Sequence, residues 1–137
     1  MTDDLMAKEY CLKAIKKGNK MAEAMKYLFE WGIKNEKEKS FPLFVECMEE
    51  DPNFQYKETS YAIFFVGRSY DMGIGVEKNT QKAIHYYEIA LGKNNPGAMV
   101  NLASIYEDGQ DDVPIDINKS IQLLKRAIKL GFFYFFS

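Results

Sequence analysis

One histidine, two cysteines and a cluster of acids are the residues of this 137-residue chain that could carry chemistry, and their spacing decides which kinds are open to them. His85 is the only histidine, so a two-histidine metal site within the chain is ruled out. A Cys/His nucleophile pair would require folding to bring Cys11 or Cys47 to it. At about 100° per helical residue, His85 points away from the stripe formed by Ala83, Tyr86, Tyr87 and Ala90, which predicts a surface position. Glu107, Asp108, Asp111, Asp112 and Asp116 lack the ligand alternation and closing glutamate of a calcium loop. Gly73 and Gly75 lack the third glycine and the preceding strand of a phosphate cradle. Cys11 and Cys47 fall in separate helical segments without metal or redox spacing, and are expected as buried, reduced thiols. The reading is of a chain that is no enzyme, with no catalytic, metal or cofactor residue to assign.

The elements that would position any site are helical. Apolar residues make up 47% and aromatics 15%, enough to fill a core, and the length suits a single domain over 1–137. A formal charge of -2 from 18 basic and 20 acidic residues supplies no general field for a nucleic-acid backbone, so nucleic acid is not an expected partner. Asp3 and Asp4 stand where a signal peptide would carry basic residues. The longest apolar stretch, Gly131 to Phe136, is far short of the roughly 20 residues that cross a bilayer. No membrane insertion is expected, and the cytoplasm is the expected location.

The strongest signal is a repeat. Ala62, Val66, Gly67, Tyr70 and Gly73 return 36 positions later as Ala98, Leu102, Ala103, Tyr106 and Gly109. After one inserted residue, Val76, Asn79, Lys82, Ala83, Ile84, Tyr87 and Ala90 return 37 later as Val113, Asp116, Lys119, Ser120, Ile121, Leu124 and Ala127. A period of this size marks a solenoid, in which each unit completes its core with its neighbours. Apolar periodicity with Gly, Pro and Asn punctuation predicts about seven helices. They run from about Asp4 to Lys17, from Met21 to Ile33, from Ser40 to before Asp51 and Pro52, and from Glu58 to Asp71; the others start after Asn79, near Pro96 and after Asp116. Ser40 is expected to cap the third, with Pro42 in its first turn, and Lys34 to Lys39 is expected as a solvated loop. A fainter echo links Ala7, Tyr10, Ala14 and Gly18 to Ser120, Leu123, Ala127 and Gly131, and Ala24 and Leu28 to Ala62 and Val66. Two helix types, A and B, therefore alternate. Clear repeats cover 58–131, and a degenerate N-terminal repeat covers 4–57.

The pattern A-x-x-x-[VL]-[GA]-x-x-Y-x-x-G, then V, then [ND]-x-x-K-[AS]-I, resembles the Sel-like repeat family, a longer-period relative of the tetratricopeptide repeat. Tyr70 to Ala90 carries the resemblance most clearly; the unit ending at Gly131 departs from it, with Leu123 and Leu124 in place of Tyr86 and Tyr87. The resemblance implies an all-α superhelix of roughly three repeats that serves in protein assemblies, with A helices lining the concave surface.

On that surface Tyr61, Phe64 and Arg68 leave the core stripe of their helix, and Gly97, Val100 and Ser104 are their equivalents one unit later. Glu23, Lys26 and Glu30 take those places in the second helix. Tyr61, Phe64, Arg68, Val100 and Ser104 form the expected partner-binding groove, aromatic and arginine side chains being frequent binding anchors. Tyr61 and Phe64 have an alternative role in packing against Asp51 to Lys57. Phe132, Phe133, Tyr134, Phe135 and Phe136 begin where the next A helix would start. They are expected either as an internal cap or as an interface with another subunit, including a second copy, since five aromatics in water would form a patch that marks an interface. The expected function is a non-catalytic protein-interaction or adaptor module. The alternatives are a structural subunit docked through the aromatic tail, and a small-molecule-binding or hydrolytic protein, which would need a pocket joining His85 to a cysteine or carboxylate.

Overall fold

A computed structural model describes residues 19–32 and 34–131. They form six α-helices: α1 (Lys20–Leu28), α2 (Ser40–Glu49), α3 (Lys57–Met72), α4 (Thr80–Gly92), α5 (Pro96–Asp108) and α6 (Ile117–Lys129), with a short 3₁₀ turn (Lys37–Lys39) before α2. The helix expected over Asp4 to Lys17, Cys11 and Phe132 to Phe136 lie outside the described residues. The principal contacts run between helices adjacent in sequence, the pattern of a solenoid. No described helix is long and apolar enough to cross a membrane.

The two clear units are built by the same local chemistry. Asn79 and Asp116 cap α4 and α6, each accepting from the backbone N–H three residues on, at 3.0 Å from Lys82 and 3.0 Å from Lys119. Their own N–H groups donate to the carbonyls of Tyr70 (2.8 Å) and Tyr106 (2.7 Å), which ties each cap to the helix before it. Lys82 and Lys119 then lay their ammonium groups over those same tyrosines, 5.4 and 4.3 Å from the ring centres. Gly73 and Gly109 end α3 and α5 with positive φ of 71° and 65°. Asn95 caps α5 and reaches back to the Ser60 carbonyl.

The small residue in the middle of each A helix is set by what faces it. A Cβ on Gly67 would lie 2.9 Å from the Tyr87 ring. In the next unit the same positions hold Ala103 and Leu124, within the same core cluster as Ile63, Leu102 and Leu123. A second cluster joins Ala24, Leu28, Phe44, Phe65 and Val66. Phe44 stacks on Phe65 with centroids 4.7 Å apart.

The N-terminal half departs from expectation in three places. The helix expected to reach Ile33 ends at Leu28, because Glu30 turns into the left-handed region (φ 55°) and Trp31 N–H closes onto the Lys26 carbonyl at 3.0 Å. This is a glycine-type helix stop built on glutamate, and it lets Phe29 stack on Trp31 and meet the edge of Phe65. Ser40 is the first helical residue and not the cap; Lys39 holds that place without a side-chain bond, and the buried Ser40 hydroxyl donates to the Lys37 carbonyl at 2.6 Å. The charged segment is also more than a solvated loop. It carries the 3₁₀ turn, and its Glu38 carbonyl presses so closely on Gly75 that a Cβ there would lie 2.5 Å away.

Asp51 ends α2 as expected and starts the next helix too. Its buried carboxylate accepts from the N–H groups of Gln55 (3.0 Å) and Tyr56 (2.9 Å) and from the Thr59 hydroxyl (2.6 Å). Burial alone would raise the Asp51 pKa, but these three donors together hold it below the usual aspartate value.

Candidate functional site

α3 and α5 occupy equivalent places in successive units, and a cleft of about 360 Å³ opens between them. Phe64, Arg68 and Asp71 line it from α3, and Asn101 and Ser104 from α5, with Gln110 in the loop that follows. Three of the five expected groove residues, Phe64, Arg68 and Ser104, therefore converge. Tyr61 is exposed on the same helix and Val100 is half-buried on α5, but neither is among the cleft's lining residues. Phe64 packs across the two units. Its ring lies on Gly97, where a Cβ would come within 2.7 Å, and tilts against Phe65 and Tyr87.

The polar side of the cleft hangs on Tyr87, which α4 buries completely between the two A helices. The Tyr87 hydroxyl donates to Asp71 Oδ2 at 3.0 Å and accepts from Asn101 Nδ2 at 3.1 Å, so one phenol couples three helices. Burial, reinforced by the Asp71 charge, pushes the Tyr87 phenol far above its ordinary range and keeps it protonated. Burial also raises the Asp71 pKa, opposed by the hydrogen bond from Tyr87. Arg68 makes no ion pair within 4 Å among the described residues; its Nε donates to Met72 Sδ at 3.4 Å. Gln110 Oε1 is buried without a hydrogen-bond partner among the described residues. The cleft thus sets a guanidinium, a hydroxyl and carbonyl-type acceptors beside an aromatic ring. That mixture matches the alternating donors and acceptors of a polypeptide segment with an apolar side chain.

Asp71, Asn101 and Gln110 escaped the sequence reading, although the repeat register held a signal for two of them. Asn101 stands where the first unit has Phe65, and Gln110 where it has Ile74. Each puts a polar group in an apolar position.

The other chemistry-bearing residues are spread out. His85 is exposed on α4, its ring edge-on to Tyr86 at 5.0 Å. Cys47 is free and half-buried where full burial was expected, in a separate hollow with Lys20 and Glu50. Burial, with the Glu50 charge, raises its thiol pKa. Asp111 and Asp112 accept from the side chains of Thr80 (2.5 Å) and Gln81 (3.0 Å), which pins the inter-unit loop to the start of α4. Among the described residues no three His, Cys, Asp or Glu side chains gather into a metal-binding group.

A family model described as the Sel1 repeat matches residues 2–19, 60–95 and 96–132. The last two segments are the two clear units, and the first coincides with the faint N-terminal echo. Among solved structures, a protective antigen of uropathogenic Escherichia coli strains with an SLR fold is 21% identical, with a TM-score of 0.70. The match covers 90% of this chain and 26% of that one. A Sel1 repeat protein from Oxalobacter formigenes is 20% identical with a TM-score of 0.60, over 90% of this chain and 34% of that one. The chain spans about a quarter to a third of these two structures, and the likeness is one of fold. No curated protein matches.

Proposed function

We propose, from the premise that this chain belongs to the Sel1 repeat family, that it is a non-catalytic adaptor in the cytoplasm that binds a polypeptide segment of another protein in the cleft between α3 and α5. Repeats of this family generally mediate contacts between proteins. The observation that carries the reading is convergence: Phe64 and Arg68 come from one unit and Ser104 from the next, yet they line one cleft. Apolar and charged anchors in a shared concavity are what a peptide needs to bind with register and orientation. The Asp71–Tyr87–Asn101 bridge fixes the distance between the two cleft walls before any partner arrives, which limits the ordering cost of binding.

A photo-crosslinking residue placed at Ser104 in the full chain, expressed in its source cell, tests this. Protein adducts are expected from that position and should disappear when Arg68→Glu is added, while the same crosslinker at exposed Glu88 on α4 should give none. Equal adducts from both positions, or none from Ser104, would overturn the proposal.

A further inference from the structure

The outer face of α6 repeats a surface that α4 keeps covered. Thr80 on α4 is 3% exposed, and Ile84 and Leu91 pack into the main core cluster beside the next unit. Their equivalents on α6 are Ile117, Ile121 and Ile128, which are 49%, 44% and 43% exposed. With half-buried Leu124 they form one stripe at helical spacing. Beside the stripe lies a hollow of about 530 Å³ lined by Gln122, Lys125, Arg126, Ile128 and Lys129.

Charge distinguishes this face from its counterpart. Lys125, Arg126 and Lys129 replace Glu88, Ile89 and Gly92, and α6 contains no acidic residue. Arg126 is held by the Leu91 carbonyl (3.2 Å) and Asn94 Oδ1 (2.7 Å). Lys125 and Lys129 make no ion pair within 4 Å among the described residues and flank the apolar stripe.

We infer that this face is a docking seam for an amphipathic α-helix of a partner protein, one whose apolar stripe is bordered by aspartate or glutamate. The helix preference follows from the architecture, since the equivalent positions of α4 meet the next helical unit: Ile84 and Leu91 join the cluster that includes Leu102 of α5 and Leu123 of α6, and Thr80 bonds to Asp111. The acidic preference follows from the two lysines, whose attraction orients an incoming helix and speeds its encounter. Symmetric pairing of two α6 faces is disfavoured, because it would set the same lysines against each other.

The full chain, with residues 132–137 in place, is panned against a displayed library of amphipathic helices about eighteen residues long, with constant apolar positions and randomised flanks. Selected helices are expected to carry acidic flanks, and to bind at least about tenfold more weakly to Ile121→Ser or Ile128→Ser, the loss typical of an interface anchor. With Lys125→Glu and Lys129→Glu combined, selection should turn to lysine and arginine flanks. Four outcomes overturn the inference: no helix enriched over background, as when residues 132–137 occupy the seam; enriched helices without charge preference; capture of phosphatidylserine vesicles through the same isoleucines; or self-association of the chain through them in sedimentation.

Discussion

Replacing Gly67 by alanine separates two accounts of a glycine in the middle of a helix. If Gly67 merely tolerates its place in α3, alanine should stabilise the protein by about 1 kcal/mol through helix propensity. If the repeat needs a bare Cα there, the sign reverses. The added Cβ would lie 2.9 and 3.0 Å from Tyr87 Cδ1 and Cε1 and 3.3 Å from the Ala83 carbonyl. Tyr87 cannot swing aside cheaply, since it is fully buried and its hydroxyl is held by Asp71 and Asn101. Overpacking of this kind costs about 1–3 kcal/mol. Set against the propensity gain, Gly67→Ala is expected to destabilise by roughly 1 kcal/mol. Urea unfolding of the full chain measures it, and the second unit supplies the control. Its Ala103 and Leu124 occupy the same two positions, so adding Tyr87→Leu to Gly67→Ala should cost less than the sum of the two single changes, with a coupling of about 1–2 kcal/mol. A Gly67→Ala protein more stable than the parent would refute the packing account.

Tyr87→Phe keeps the ring but removes the hydroxyl that joins Asp71 to Asn101. A loss of about 1–3 kcal/mol is expected in chemical unfolding, with the Asp71 pKa, followed by carboxyl NMR, rising further than burial already takes it. The two unusual aspartates should titrate stability in opposite directions. Asp51 has a lowered folded pKa, so its contribution is complete above the ordinary aspartate value of 3.8 and is lost as the pH falls through the folded value. Asp71 has a raised one, so its contribution is present below 3.8 and is lost as the pH rises through the folded value. Urea midpoints taken from neutral to acid pH should therefore flatten at the acid end in Asp51→Asn and flatten above 3.8 in Asp71→Asn. Finally, Asn79→Ala and Asp116→Ala remove caps of the same geometry and should each cost about 1 kcal/mol, adding in the double variant, as read from thermal unfolding.

The repeat was legible because its residues act locally. Asn79 and Asp116 cap the helices that follow them, and Gly73 and Gly109 end the helices before them, so register alone locates them. Part of the cleft wall follows the register for a related reason. Phe64 and Arg68 share a helix face, and Ser104 inherits that face one period later. The first half resisted because its punctuation uses unexpected residues. Glu30 adopts a conformation that usually calls for glycine, and Asp51 serves a helix whose first residue lies six positions on. The fit of Gly75 against the Glu38 backbone joins positions 37 residues apart, a contact that no local pattern encodes.

Departures from the repeat carry more functional information than the repeat itself. Where the two units agree, the shared residue has a packing role, as with the tyrosine and lysine pairs that bridge each turn. Some differences are core swaps, such as Gly67 with Tyr87 against Ala103 with Leu124, and others fall on the cleft or on the outer face of α6. Phe65, stacked on Phe44 in the first unit, becomes Asn101, which bonds to Tyr87 and faces the cleft. Ile74 becomes Gln110, whose buried oxygen has no partner among the described residues. On α6, Glu88 and Gly92 become Lys125 and Lys129, beside isoleucines whose counterparts on α4 are covered. A solenoid unit needs apolar residues at its seams to hold its neighbours, so a polar residue there weakens the scaffold unless something satisfies it. Tyr87 does this for Asn101 from within the chain. Gln110 lines the cleft and the two lysines are exposed on α6, and these are the groups that the proposed partners would meet.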